Sequence, residues 1–313
     1  MFTKPPVVNI VVHTLLATLL IASSMAQAKS HYDKQAVPDL KETPERVVAL
    51  NWSATEALLL LGVTPVGVAD RDGYPVWVKQ PALPDGIPNV GRRSAPSLSA
   101  IAELKPDLIV VSSQLAPAQE QLERIAPTYV TPMYTGGTAP FSEARDMLLT
   151  LGDLLDREPQ ARDVLKQTER MLAANRKRLE LAGMTDKPIA LVSFMDSRHV
   201  RINARNGLFQ AALEGLGLEN AWQPPGTNWG FTTIGLDKLA KHDNARLVVI
   251  EPMATGLKES LGSSPFWNRL PVVEQREVYQ IEPVWAYGGV YAVQRLAQQL
   301  TEALLAEGQA NVR

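Results

Sequence analysis

The sequence predicts an α/β protein built as two doubly wound lobes joined by one long helix. Three observations point to it. Short β-branched runs alternate with helix-period segments from Arg46 to Tyr134. From Phe141 to Gly183 the apolar residues recur at helical spacing instead. The strand–helix alternation then restarts at Pro188.

In the first lobe, Arg46 to Leu50 reads as a strand, followed by a helix with apolar positions at Ala54 and Leu58 to Leu61. Pro65 to Ala69, Asp107 to Ser112 and Tyr129 to Tyr134 read as further strands, with helices over Ser97 to Leu104 and Ala118 to Ile125. Two helices follow. The first repeats Ala144, Met147, Leu148, Leu151, Leu154 and Leu155; the second runs from Glu158 to Ala182, with Pro159 in its first turn and Gly183 as a left-handed cap. At a rise of about 1.5 Å per residue the second helix is on the order of 37 Å long, enough to connect two lobes. Behind it, strands are predicted over Pro188 to Phe194, Val200 to Ile202, Arg246 to Ile250 and Glu277 to Ile281. Helices are predicted over Leu208 to Leu216 and, with Val293, Leu296, Leu300 and Leu304 inward, over Tyr291 to Leu305.

The N-terminus reads as a cleavable signal peptide. Lys4 precedes an apolar run from Val11 to Ile21, shorter than the roughly 20 residues of a membrane span, and Ala26-Gln27-Ala28 offers a small-x-small cleavage site. The expected partition is therefore a leader over 1–28, an N-terminal lobe over 29–140, a helical segment over 141–183 and a C-terminal lobe over 184–313, with export to the periplasm as a soluble monomer.

Composition excludes several functions. The chain has 31 basic against 33 acidic side chains and no local basic stripe, so nucleic acid is not an expected partner. It has no cysteine, hence no thiol nucleophile, thiolate ligand or lipidated cysteine. A nucleophile elbow, a P-loop and a dinucleotide fingerprint are all missing, and the histidines lack metal-ligand spacing. No catalytic residue, protein-held metal or cofactor is expected. The remaining enzyme alternative is an exported hydrolase using Ser193, His199 and Asp196, which lie in one strand–turn–strand segment without an elbow.

The chemistry on offer is aromatic and cationic. Trp52, Trp77, Trp229, Trp285 and Tyr287 sit in loops that leave strands or precede helices, among turn-forming residues, which is where α/β sheets bind ligands. Trp222 and Trp267 read as structural. In Pro88-Asn89-Val90-Gly91-Arg92-Arg93, Gly91 permits a tight turn that holds arginine at a loop rim before a helix, a donor fork suited to clustered anionic oxygens.

From about Arg46 to the C-terminal helix the chain resembles periplasmic ferric siderophore-binding proteins of the helical-backbone class, and among them ferric hydroxamate binders. The segments that carry the resemblance are RVVALNWSATEALLLLGVTPVGVAD, YPVWVKQPALPD, VGRRSAPSLSAIAELKPDLIVVSS, NAWQPPGTNWGFTTIGLDKLA and PVWAYGG. It implies two rigid lobes with a ligand cleft between them, an arginine at Arg93 meeting the iron-coordinating hydroxamate oxygens, and an apolar wall at Trp229 and Trp285. Iron would be held only through the siderophore. In the family pattern a tyrosine often assists the arginine; Leu115 stands at that place here, with Gln114 or Tyr74 as substitute donors. The resemblance further implies docking on the membrane permease of an ABC importer through acids matching Glu120 and Asp237. The same fold could instead hold haem, cobalamin or a catecholate chelate. A triscatecholate would require more cations than Arg93 with Arg92 or Arg198.

Overall fold

A computed structural model describes residues 37–134 and 140–306. The expected leader, with Lys4 and the Ala26-Gln27-Ala28 site, lies outside the described residues. The first lobe contains β1 (Val47–Ala49), α1 (Trp52–Leu60), β2 (Gly67–Val68), α2 (Tyr74–Trp77), a hairpin of β3 (Gly91–Arg92) and β4 (Ala95–Pro96), α3 (Leu98–Glu103), β5 (Leu108–Ser112), α4 (Gln119–Glu123) and β6 (Thr128–Thr131). Its four-stranded sheet is parallel throughout, in the order β2-β1-β5-β6. Side chains alternate across the sheet. Val47, Ala49, Leu108 and Val110 face one core, while Val48, Leu50, Ile109 and Val111 face another that includes Ile101 of α3 and Leu122 of α4. Helices therefore cover both faces.

The helix predicted over Ala118 to Ile125 is α4, and a 3₁₀ turn over Ser113–Ala118 leads into it. Pro117 lies inside that turn; a proline ring and its missing amide do not fit an α-helical interior.

The long helices are α5 (Pro140–Leu154) and α6 (Glu158–Leu181). Helix α6 belongs to both lobes: Ala161 and Leu165 pack into the first core, Leu172 and Leu179 into that of the second lobe. From Leu40 onward the described chain forms one compact unit.

The second lobe follows with β7 (Ile189–Phe194), β8 (His199–Asn203), α7 (Gln210–Leu216), β9 (Phe231–Gly235), α8 (Leu236–Leu239), β10 (Arg246–Ile250), α9 (Leu257–Gly262), α10 (Pro265–Asn268), α11 (Pro271–Glu274), β11 (Val278–Ile281) and α12 (Val290–Leu305). The sheet order is β11-β10-β7-β8-β9; β11, β10 and β7 are parallel, and β8 and β9 extend the sheet as antiparallel strands. Strand β9 left no pattern in the sequence. It is an edge strand in which only Ile234 is buried, so no apolar alternation marks it. Trp267 is fully buried against Phe194, and Trp222 packs on the same core, both structural as expected.

Candidate functional site

A cleft of about 410 Å³ lies between the lobes. The first lobe lines it with the residues that follow β1 (Asn51 to Ser53), end β5 (Ser112 to Gln114) and follow β6 (Met133, Tyr134). Strands β1 and β5 are the central neighbours at which the strand order reverses, the crevice where open α/β sheets bind ligands. The second lobe contributes Trp229, Phe231, Trp285 and Tyr287.

Arg93 sits at the tip of the β3–β4 hairpin. The hairpin requires glycine at Gly91, whose φ is +96° and where a Cβ would stand 2.9 Å from the Ser97 amide nitrogen. Asp70 anchors the arginine twice, accepting from its backbone N–H at 3.1 Å and from Nε at 3.0 Å. The guanidinium carbon lies 3.6 Å from the Trp52 ring centroid and 5.1 Å from that of Trp285. Trp52 is itself tied down, its indole N–H donating to the Asp70 carbonyl at 3.2 Å. With Nε committed to Asp70, the two terminal nitrogens remain for a ligand. Asp70 and Arg93 are the charged side chains of the lining, so the cleft surface is formally neutral.

An aromatic series continues from this arginine across both lobes. Trp52 meets Trp285 at 4.8 Å between ring centroids, Trp285 meets Tyr287 at 5.1 Å, Tyr287 meets Trp229 at 5.7 Å, and Trp229 meets Tyr134 at 5.6 Å. The Tyr134 hydroxyl donates to the Ala286 carbonyl at 2.8 Å, joining the lobes at the cleft floor. Burial raises the phenol pKa of Tyr134 and of Tyr287, the charge of Arg201 opposing the shift at Tyr287, so both rings are neutral donors near pH 7. The loop bearing Trp229 is pinned by Asn206, which accepts from the Gly226 N–H and donates to the Thr227 carbonyl, each at 2.8 Å.

The loop bearing Trp285 and Tyr287 is held from below by Glu56. One carboxylate oxygen accepts from the backbone N–H groups of Gly289 (3.0 Å), Tyr291 (2.9 Å) and Ala292 (3.4 Å), capping α12 from the other lobe. A Cβ at Gly289 would lie 2.8 Å from that oxygen, so the approach requires glycine.

The structure thus brings Arg93, Trp229, Trp285 and Tyr287 together, with Trp52 buried beneath Arg93 as its stacking surface. Trp77, 41% exposed, is outside the lining and meets Trp285 edge-on at 6.0 Å. Leu115 requires a correction. It is buried in the first lobe's core and points away from the cleft, and Gln114 occupies the wall instead. The 3₁₀ turn explains this, because it rotates successive side chains to different sides. Tyr74 is also fully buried away from the lining. Replacing Leu115 with Ala is expected to cost about 2–4 kcal/mol of stability in denaturant unfolding while leaving ligand affinity within about twofold. Loss of affinity without loss of stability would return Leu115 to the wall.

Glu120 and Asp237 stand exposed at helix starts, Glu120 paired with Arg124 at 2.9 Å and Asp237 with Lys238 at 3.4 Å. Ser193 pairs across the sheet with Arg201, which makes His199 only a diagonal neighbour; His199 binds Asp196 at 3.0 Å. Sequence reasoning missed Asp70, Tyr134 and Phe231 in the cleft. Tyr134 lies beyond the end of β6 at φ +61°, and Asp70 occupies a left-handed position at φ +50° after β2.

The chain is 33% identical over 261 residues to the iron(3+)-hydroxamate-binding protein FhuD of Escherichia coli, covering 83% of this chain and 87% of that protein. It is 28% identical to the Fe(3+) dicitrate-binding periplasmic protein FecB of the same species, covering 90% and 92%. The crystal structure of siderophore-binding protein FhuD from Vibrio cholerae with Fe3+–Desferal bound aligns with a TM-score of 0.80 at 31% identity, covering 83% of this chain and 98% of that one. The periplasmic binding protein family model matches residues 47–284, from the first strand of one lobe to the cleft-facing end of the other, and the chain belongs to that family.

Proposed function

We propose that this protein captures a ferric hydroxamate siderophore in the periplasm and delivers it to the membrane permease of an ABC importer for iron uptake. The observation that carries this reading is Arg93, stacked on Trp52 and fixed by Asp70 at the edge of a formally neutral, aromatic cleft. Three hydroxamates around Fe(III) give an uncharged core whose oxygens remain electron-rich. A cleft with one oriented guanidinium and otherwise aromatic walls recognises those oxygens at little desolvation cost. The iron is cargo, bound only through its chelator. The relatives named as siderophore and iron-citrate binders support the class, and FhuD supports hydroxamate within it. Glu120 and Asp237, exposed on the first and second lobes, are the proposed permease contacts, each one acid able to meet a permease arginine. The chain acts as a monomer and turns over nothing.

Titration of the intrinsic tryptophan fluorescence tests this. Ferric tris-hydroxamates are expected to quench saturably at micromolar concentration or below, with the iron complex recovered intact and the iron-free chelator binding more weakly. Quenching by haem or a triscatecholate but by no hydroxamate would overturn the ligand assignment. A cleaved siderophore after prolonged incubation would overturn capture without turnover.

A further inference from the structure

Arg201 is a second guanidinium beside the cleft. On β8, Asn203 pairs with Phe231 and Arg201 pairs with Thr233, so Arg201 and Phe231 stand on the same face of the sheet as diagonal neighbours. The guanidinium carbon lies 4.7 Å from the Phe231 ring centroid. Phe231 is a wall residue of the cleft, and its ring meets Tyr287 at 6.4 Å. The charge of Arg201 reaches the Tyr287 phenol, where it opposes the effect of burial.

Among the described residues no salt bridge pairs this cation. Its cross-strand partners Ser193 and Thr233 are neutral, and among the described residues its Nε is buried without a hydrogen-bond acceptor. Arg93, by contrast, is matched by Asp70. A guanidinium stacked on an aromatic ring and left with unpaired donors is a site for a planar anion, carboxylate above all, which accepts two parallel N–H bonds. Resting on the proposed hydroxamate function, we infer that Arg201 forms a second subsite for a carboxylate borne on an arm of the siderophore. The preferred ligands are then ferric hydroxamates whose periphery is anionic. Arg93 meets the iron-coordinating oxygens in one lobe, and Arg201 meets the pendant carboxylate in the other.

The test uses three linear ferric tris-hydroxamates with the same iron core and chain ends of ammonium, acetamide or succinyl carboxylate. They are titrated into the wild-type protein, Arg201→Gln and Arg201→Lys at about 0.02 and 0.15 M salt. In the wild type, affinity is expected to rise from ammonium to acetamide to carboxylate with a total spread of about tenfold or more, narrowing at the higher salt. Arg201→Gln should collapse the spread while changing the acetamide complex by less than about twofold; Arg201→Lys should keep the order. Equal wild-type affinities overturn the subsite alone. So does an Arg201→Gln variant that weakens all three complexes equally, or one that retains the spread. Failure of all three to bind the wild type overturns the hydroxamate function and the subsite with it. If Arg201→Gln does not fold, the order in the wild type and its salt dependence decide the matter.

Discussion

Replacing Arg93 with alanine is expected to weaken binding of a ferric tris-hydroxamate by about 2–5 kcal/mol, roughly 30-fold to several thousand-fold in Kd. The size follows from the arrangement around the side chain. Asp70 holds Nε, the Trp52 ring backs the guanidinium at 3.6 Å, and Trp285 closes over it. Its rotamer entropy is thereby spent before the ligand arrives, and each hydrogen bond to a chelate oxygen costs little further ordering. Removal would also leave Asp70 facing those oxygens as an unmatched negative charge. Folding should suffer little, because the Arg93–Asp70 pair is one-third exposed and such pairs contribute about 1 kcal/mol or less. The checks are the fluorescence titration and denaturant unfolding of the same variant. An affinity loss below about 0.5 kcal/mol would place Arg93 on the rim, outside direct contact with the ligand.

The second large effect is on stability. Glu56→Ala is expected to lower the unfolding free energy by about 3 kcal/mol, since it strips the shared acceptor from three backbone N–H groups at the start of α12 in a buried site. Burial pushes the Glu56 carboxyl up to about 8, against the opposing pull of those three donors. The folded-state pKa is thus raised above the unfolded value. The stability contribution is complete below about pH 4.5, and it is lost as pH rises from there through about 8, at up to about 1.4 kcal/mol per pH unit. Glu56→Gln keeps an acceptor oxygen without a titrating proton. Between pH 5 and pH 8 the wild type should therefore lose stability relative to Glu56→Gln in denaturant melts. Parallel pH profiles would show that Glu56 stays ionised in the fold. Because Glu56 anchors the loop of Trp285 and Tyr287 across the lobes, Glu56→Ala should also weaken ligand binding.

Much of this was legible in the sequence. Buried central strands such as β5 and β10 show as unbroken apolar runs, and α5, α6 and α12 show as 3.6-residue periods, because both patterns record a local relation between chain and solvent. Arg93, Trp229, Trp285 and Tyr287 were legible for a different reason: turn formers around an aromatic or arginine mark a loop side chain that the element cores do not use. Leu115 was placed at the site by the resemblance alone, and its direction depends on a 3₁₀ turn that leaves no mark in the spacing. Glu56 carried no signal in the sequence, since its partners are more than 230 positions away. Arg201 carried no signal in the sequence, since its stacking partner belongs to an edge strand without an apolar pattern. The sequence by itself determined the α/β class, the long connecting helix and most of the cleft's aromatic wall, all set by local periodicity and turn chemistry. Only the tertiary structure decided which of its charges are matched and which, like Arg201, stand without a salt-bridge partner among the described residues, because pairing depends on distances between residues that the chain brings together only by folding.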